Sequence, residues 1–424
     1  MTEPATSRRR FLEGSAAAGA AAALNLAPFS TARAAGKDEI RIGLVGCGGR
    51  GGGAASQALS ADPGVRLVAL GDTFADQVEN THRNLKRNGD LGARVDVPPD
   101  RRFVGFDAYK KVIDSVDVVL LATSPYFRPM HLKYAVEKGV HAFVEKPVAT
   151  DPAGLRDIMA TCEVAKTKKL SIVSGLCYRY DNAKRETLAR VHDGQIGEIK
   201  AMETFYQVGG LWNKGRKDGW SDMEWQIRNW LYFTWLSGDH ITEQHIHSLD
   251  KIAWAMQDQT PVRCTGSGGR ISRTEAKWGN IYDHFHVVYE YPGDIKAHSA
   301  CRQISGCTNK VSDHVYGTLG NAHLQSHRIA GKNEWRFRGK KNNMYQTEHN
   351  ELFASIRAGK PLNNGDYMCK STLMAIMGRM SAYTGQSITW EQALNSKLDL
   401  APPQFAWGSV PVRPVARPGQ TKFV

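Results

Sequence analysis

From Glu39 the chain reads as a short β-rich run, and continuous apolar runs recur at residues 65–72, 116–125, 140–147 and 170–175. These runs do not alternate polar with apolar, which is the pattern of strands buried on both faces, and the stretch 129–138 between two of them is helix-like. Buried strands alternating with helical segments predict an α/β Rossmann domain, a doubly wound parallel sheet whose sixth strand is 170–175. After Tyr180 the pattern changes. Residues 185–193 predict a helix, and period-two segments follow at 200–207, 262–267, 283–291, 294–302 and 314–319. They predict an α+β domain with a large open antiparallel sheet. Residues 346–358 and 367–384 are helical in pattern and are expected to pack back on the first domain. Five prolines between Pro402 and Pro418 forbid regular structure, so the end of the chain is expected to lie extended over a neighbour. The predicted boundaries are therefore 39–178, 179–345, 346–395 and a Pro-rich tail at 396–424. No internal repeat is evident.

The first strand runs into Gly46-Cys47-Gly48-Gly49-Arg50-Gly51, glycines in G-x-G-x-x-G spacing. The first allows a tight turn, the second lets the backbone approach a pyrophosphate, and the third lets helix pack on strand. Asp72 follows about twenty residues later, where a carboxylate accepts from the adenosine ribose hydroxyls and favours NAD over NADP. Arg50 in the turn could serve the 2′-phosphate of NADP. Thr123, Ser124 and Pro125 end a later strand, where ligands sit in open α/β sheets, and His131 completes the cofactor candidates.

Charge and composition add limits. The formal charge of +13 is spread among acids, with short basic runs only at 8–10, 166–169 and 338–341, so no nucleic-acid footprint is indicated. The seven cysteines contain no C-x-x-C pair; Cys301 and Cys307 could bridge in an oxidising compartment, but two buried free thiols is the simpler reading. Residues 7–13 read S-R-R-R-F-L-E, an alanine-rich apolar stretch runs from 16 to 29, and Ala32-Arg33-Ala34 follows. This order predicts a twin-arginine signal peptide over 1–34, cleaved after Ala34, and hence a periplasmic or otherwise exported protein. The stretch is shorter than the ~20 residues of a spanning helix, so no permanent membrane span is expected. Because this route carries folded proteins, a tightly bound cofactor follows.

Glu145-Lys146-Pro147, together with the glycine turn and Ala122-Thr123-Ser124-Pro125, resembles the glucose-fructose oxidoreductase, inositol dehydrogenase and rhizopine-catabolism (Gfo/Idh/MocA) family over roughly residues 39–390. The resemblance implies an NAD(P)-dependent oxidoreductase acting on a sugar or polyol, with Glu145 beside the cofactor and Lys146 at the nicotinamide, touching the reacting hydroxyl. It also implies a homo-oligomer, dimer or tetramer, built on the second sheet. The segment S237-G-D-H-I-T-E-Q-H-I-H-S-L-D resembles the family's D-x-x-x-H-x-x-D and places His247 on its histidine and Glu243 on its aspartate. The exchange of Asp for Glu is a departure that lengthens the carboxylate's reach.

In the expected chemistry His247 accepts the hydroxyl proton and Lys146 polarises the oxygen, or the two exchange these roles, and Glu243, four residues before His247, orients the imidazole if the segment is helical. Tyr178, Arg179, Arg228, Trp230 and His245 are substrate candidates, and the tryptophans from Trp212 to Trp235 either stack on sugar faces or pack a core. A metal is not expected, because His240, Glu243, His245, His247 and Asp250 show no standard ligand spacing. Two other functions compete. One is a glycoside hydrolase that oxidises its substrate transiently, eliminates the aglycone and recycles NAD, as some exported members of the family do; the other is a non-catalytic, cofactor-bound carbohydrate sensor.

Overall fold

The structure is a computed structural model and describes residues 38–424; the predicted signal peptide lies outside the described residues. Among those residues the strands form two sheets. The first contains β1 (Ile40–Val45), β2 (Val65–Asp72), β3 (Arg102–Val104), β4 (Val118–Leu121), β5 (His141–Val144) and β6 (Ile172–Ser174), in the order β3-β2-β1-β4-β5-β6. All its pairings are parallel. The order reverses between β1 and β4, so the chain leaves both strands at one crevice, the place where open α/β sheets bind ligands. Helix α1 (Gly49–Ala61) follows β1 directly, and α2 (Ala75–Lys86) follows β2.

The second sheet holds β7 (Ile199–Val208), β8 (Arg263–Gly269), β9 (His284–Tyr291), β10 (Ile295–Gln303), β11 (Lys310–Gly317), β12 (Gly320–His323), β13 (Arg328–Gly331), β14 (Trp335–Arg336) and β15 (Ile388–Thr389). Its order is β14-β13-β12-β11-β7-β10-β9-β8-β15. The expectation of an antiparallel sheet needs one correction, because β10 pairs with β7 in parallel. Alternation reports which face of a strand is buried and carries no information on its direction.

The helices Met344–Arg357 and Gly365–Thr384 return the chain to the first domain. Leu352, Phe353 and Ile356 join the core under β1 and α1, while Met368 to Met380 fill the core shared by the two sheets. Part of the tail packs on its own chain. Leu400 and Val410 are buried in their own chain, Phe405 and Trp407 pack on Phe106, and Trp407 also packs on Phe74. Proline blocks strand pairing, but the apolar side chains between the prolines still need cover. All seven cysteines are free, and Cys307 is exposed where a buried thiol was expected.

Candidate active site

A cleft of about 680 Å³ opens at the crevice between β1 and β4, lined by residues of both domains. The glycine turn forms its floor. Gly46 has φ +98°, and a Cβ there would lie 2.5 Å from the Ala122 carbonyl carbon; a Cβ at Gly51 would lie 1.9 Å from the Gly46 carbonyl oxygen. Only glycine permits this approach of turn, strand and helix. Gly48 and Gly49 instead face open space. Gly48 caps α1 without a side-chain bond, and the first turn has no acid. Uncapped amides at a helix N-terminus in a Cβ-free cradle suit a phosphate, and the residues fit a dinucleotide.

Asp72 closes the turn from β2. Its carboxylate accepts the Cys47 N–H at 2.7 Å and the Phe74 N–H at 3.0 Å, and burial raises its pKa. Arg50, expected at a 2′-phosphate, is committed elsewhere. It bonds Glu145, Gln57 at 2.9 Å and Glu348 at 2.7 Å, and its guanidinium lies over the Phe143 and Tyr345 rings. Two buried carboxylates thus share one cation; burial, and then Glu145, push the Glu348 carboxyl well above the usual carboxylate range. A Cβ at Gly175 would sit 2.7 Å from Glu145 Oε2, so β6 approaches the Glu145 carboxylate closely.

At the other end of the cleft, Lys146 Nζ donates to Glu243 Oε1 at 2.9 Å and to the Glu243 carbonyl. The expectation that Glu243 orients His247 is corrected by this pair. The segment is not one helix: Asp239–Glu243 ends before Ile246–Ala255 begins, so a spacing of four no longer puts the two side chains on one face. His247 lines the cleft with Nδ1 buried and unpaired, and the Tyr178 ring meets it edge-on at 5.2 Å. Burial, and then the charges of Lys146, Lys251 and Arg50, hold its pKa well below 6.5. The imidazole is therefore neutral at ordinary pH.

Gly46, Gly48, Gly49, Arg50, Gly51, Asp72, Thr123, Ser124, Glu145, Lys146, Arg228, Trp230, Glu243 and His247 all line this cleft. Six other candidates do not. Cys47 is buried behind the turn with its N–H on Asp72, and Pro125 is buried at the start of a 3₁₀ turn. His131 stacks between Tyr109 and Phe127, and burial lowers its pKa to about 3. His245 is fully buried and bonds Ser299. Arg179 makes a buried fork to Asp250 and Asp258 between Trp254 and Tyr367. Tyr178 backs His247 and carries Lys184 and Lys251 on its ring. Trp212 also lines the cleft, whereas Trp225 and Trp235 are core residues. Sequence reasoning missed Phe74, Arg128, Gly175, Lys214 and Tyr345 in the wall. Arg128, fully buried, donates to the carbonyls of Thr123 and Pro147, and burial lowers its pKa to about 10; nothing local in the sequence marks it.

Residues 40–173 match the model of an oxidoreductase family with an NAD-binding Rossmann fold. Over that segment the chain is similar to the Gfo/Idh/MocA oxidoreductases. It is 30% identical over 217 residues to a glycosyl hydrolase family 109 protein of Streptomyces coelicolor, a match covering 46% of this chain and 44% of that protein. It is 25% identical to inositol 2-dehydrogenase 4 of Saccharopolyspora erythraea over 67% of this chain and 78% of that one. The chain thus matches under half the length of the hydrolase relative. Among solved structures, myo-inositol 2-dehydrogenase of Lactobacillus plantarum shares the fold at TM-score 0.63 and 20% identity, over 83% of this chain and 99% of that one. The aldose-aldose oxidoreductase of Caulobacter crescentus does so at TM-score 0.64 and 16% identity, over 83% of this chain and 99% of its own.

Proposed function

We propose that this protein is an NAD(P)-dependent oxidoreductase acting on a secondary hydroxyl of a sugar or polyol. The observation that carries the reading is the convergence of the Lys146–Glu243 pair and the neutral His247 on the cleft floored by the glycine turn. When bound, the nicotinamide would accept the hydrogen and electron pair of the carbinol carbon. His247, with Nδ1 turned inward, offers its other nitrogen to the hydroxyl proton. Lys146 donates a hydrogen bond to the same oxygen as charge develops there, and Glu243 holds the ammonium in place. Trp212 and Trp230 give apolar walls against which a sugar face packs. Thr123 and Ser124 follow β4 in the cleft wall, where they would help to hold a dinucleotide.

The proposal includes NAD as the preferred cofactor, on Asp72, its tight retention, a homo-oligomer, and export by the twin-arginine route, on residues 7–34 of the sequence. Purified protein examined by mass spectrometry should carry a pyridine nucleotide, and its reduced-nicotinamide absorbance should rise with at least one member of a panel of sugars and polyols. No nucleotide and no response to any member would remove the proposal. A second reading is favoured by the glycosyl hydrolase family 109 relatives: the same residues start a transient oxidation that ends in cleavage of a glycoside. Aryl glycosides separate the two. Release of the aryl group without net nucleotide reduction selects hydrolysis.

A further inference from the structure

Five cationic side chains line the cleft, and four of them are committed within the protein. Arg50 is shared by Glu145 and Glu348, Lys146 is held by Glu243, and Arg128 is spent on two carbonyls. Arg228 pairs with Asp76 and Glu224 while its guanidinium lies 3.8 Å from the centre of the Phe74 ring. The fifth is Lys214. Among the described residues no carboxylate pairs with it, and its ammonium is only near the Trp212 ring, at 5.3 Å. Partial burial, and then Arg228, hold its pKa below the usual lysine value, while Asp76 and Asp72 act in the opposite direction. Its side chain lines the same cleft as Asp72, Thr73, Phe74 and the glycine turn.

The backbone that carries Lys214 is held in place. Its N–H donates to Asn229 Oδ1 at 2.9 Å, Asn229 Nδ2 donates to the Gly215 carbonyl, and the Tyr232 hydroxyl takes the carbonyls of Leu211 and Trp212. The Arg228–Asp76 pair ties the same stretch of the second domain to the first turn of α2. The Lys214 side chain itself is exposed beside the Trp212 ring, free of any carboxylate among the described residues, and it lines the same cleft as an anion cradle whose own arginine is occupied.

Resting on the proposed function, we propose that Lys214 binds a phosphate of the dinucleotide's ADP half, so that the cofactor is clamped from the second domain as well as by the glycine turn. The phosphate is either the bridging diphosphate or, in a phosphorylated cofactor, the 2′ group. The cofactor then bridges the domains, and its release requires the stretch 211–230 to give way.

The test titrates the nucleotide-free, full-length protein with ADP-ribose and with 2′-phospho-ADP-ribose by calorimetry. The wild type is compared with Lys214→Met and with Lys217→Met, a neighbouring exposed lysine outside the cleft wall. Lys214→Met should raise the Kd by about tenfold or more, the size of a lost charge-assisted bond. An effect on both ligands assigns the diphosphate, and an effect on the 2′-phosphorylated ligand alone assigns the 2′ group; either supports the proposal. Lys214→Arg should retain most of the affinity. Equal affinity of wild type and Lys214→Met, or an equal loss in Lys217→Met, overturns the role of Lys214 while leaving the proposed function standing. A wild type that binds neither ligand overturns both.

Discussion

His131 allows a sharp test of how the cofactor domain stores unfavourable polarity. Its ring is buried between Tyr109 at 4.2 Å and Phe127 at 6.0 Å, and Nδ1 has no partner. Burial, and then the Arg128 charge, lower its pKa from 6.5 to about 3. The folded-state pKa lies below the unfolded one, so the unfolded chain binds a proton first, and stability falls as pH drops through about 6.5 toward about 3. For one such group the loss between about pH 8 and about pH 5 is roughly 2 kcal/mol. His131→Phe keeps an aromatic ring, one atom larger, and removes the proton site. The stability difference, variant minus wild type, should therefore grow by about 2 kcal/mol over that interval. Urea unfolding of nucleotide-free protein at a series of pH values measures it, and using the difference between the two proteins cancels every other titrating group. A difference that stays constant with pH would refute the reasoning. Because His131 lies outside the cleft wall, nucleotide affinity should not change, and a loss of binding in the variant would return the residue to the cofactor site.

Two further outcomes follow from the geometry. Gly51→Ala puts a methyl group 1.9 Å from the Gly46 carbonyl oxygen, so the turn must open; nucleotide Kd, read by fluorescence titration, should rise by at least about tenfold while circular dichroism stays native. Arg179→Met leaves the buried Asp250 and the half-buried Asp258 without their cation, which should destabilise the protein by about 3 kcal/mol or more in thermal melts yet leave KM for an accepted sugar unchanged.

What the sequence disclosed and what it hid divide by distance along the chain. The glycine turn, Asp72 and the Glu145-Lys146-Pro147 element are local, and a strand followed by a glycine cluster has few other foldings, so the first sheet and its crevice were legible. The strand β3, three residues long, is too short for any periodicity to register. The role of Arg50 was misjudged because its partner Glu348 is 298 residues away. Arg179 was read toward the cleft for a similar reason: Asp250 is 71 residues on, and a cation beside a site resembles a ligand until its buried partners are seen. Glu243 and His247 were placed by a helical count, and the break after Glu243 gave the carboxylate to Lys146 instead.

The bond from Arg50 to Glu348 also sets an order in time. At synthesis rates of about 5–20 residues per second, the glycine turn leaves the ribosome some 15–60 seconds before its carboxylate partner exists. Leu352, Phe353 and Ile356, which seal the hydrophobic layer beneath the first strand, arrive later still. A nascent chain halted before Met344 would hold the first sheet's six strands with an unsealed underside and an arginine held only by Glu145 and Gln57, so the floor of the cleft is completed last.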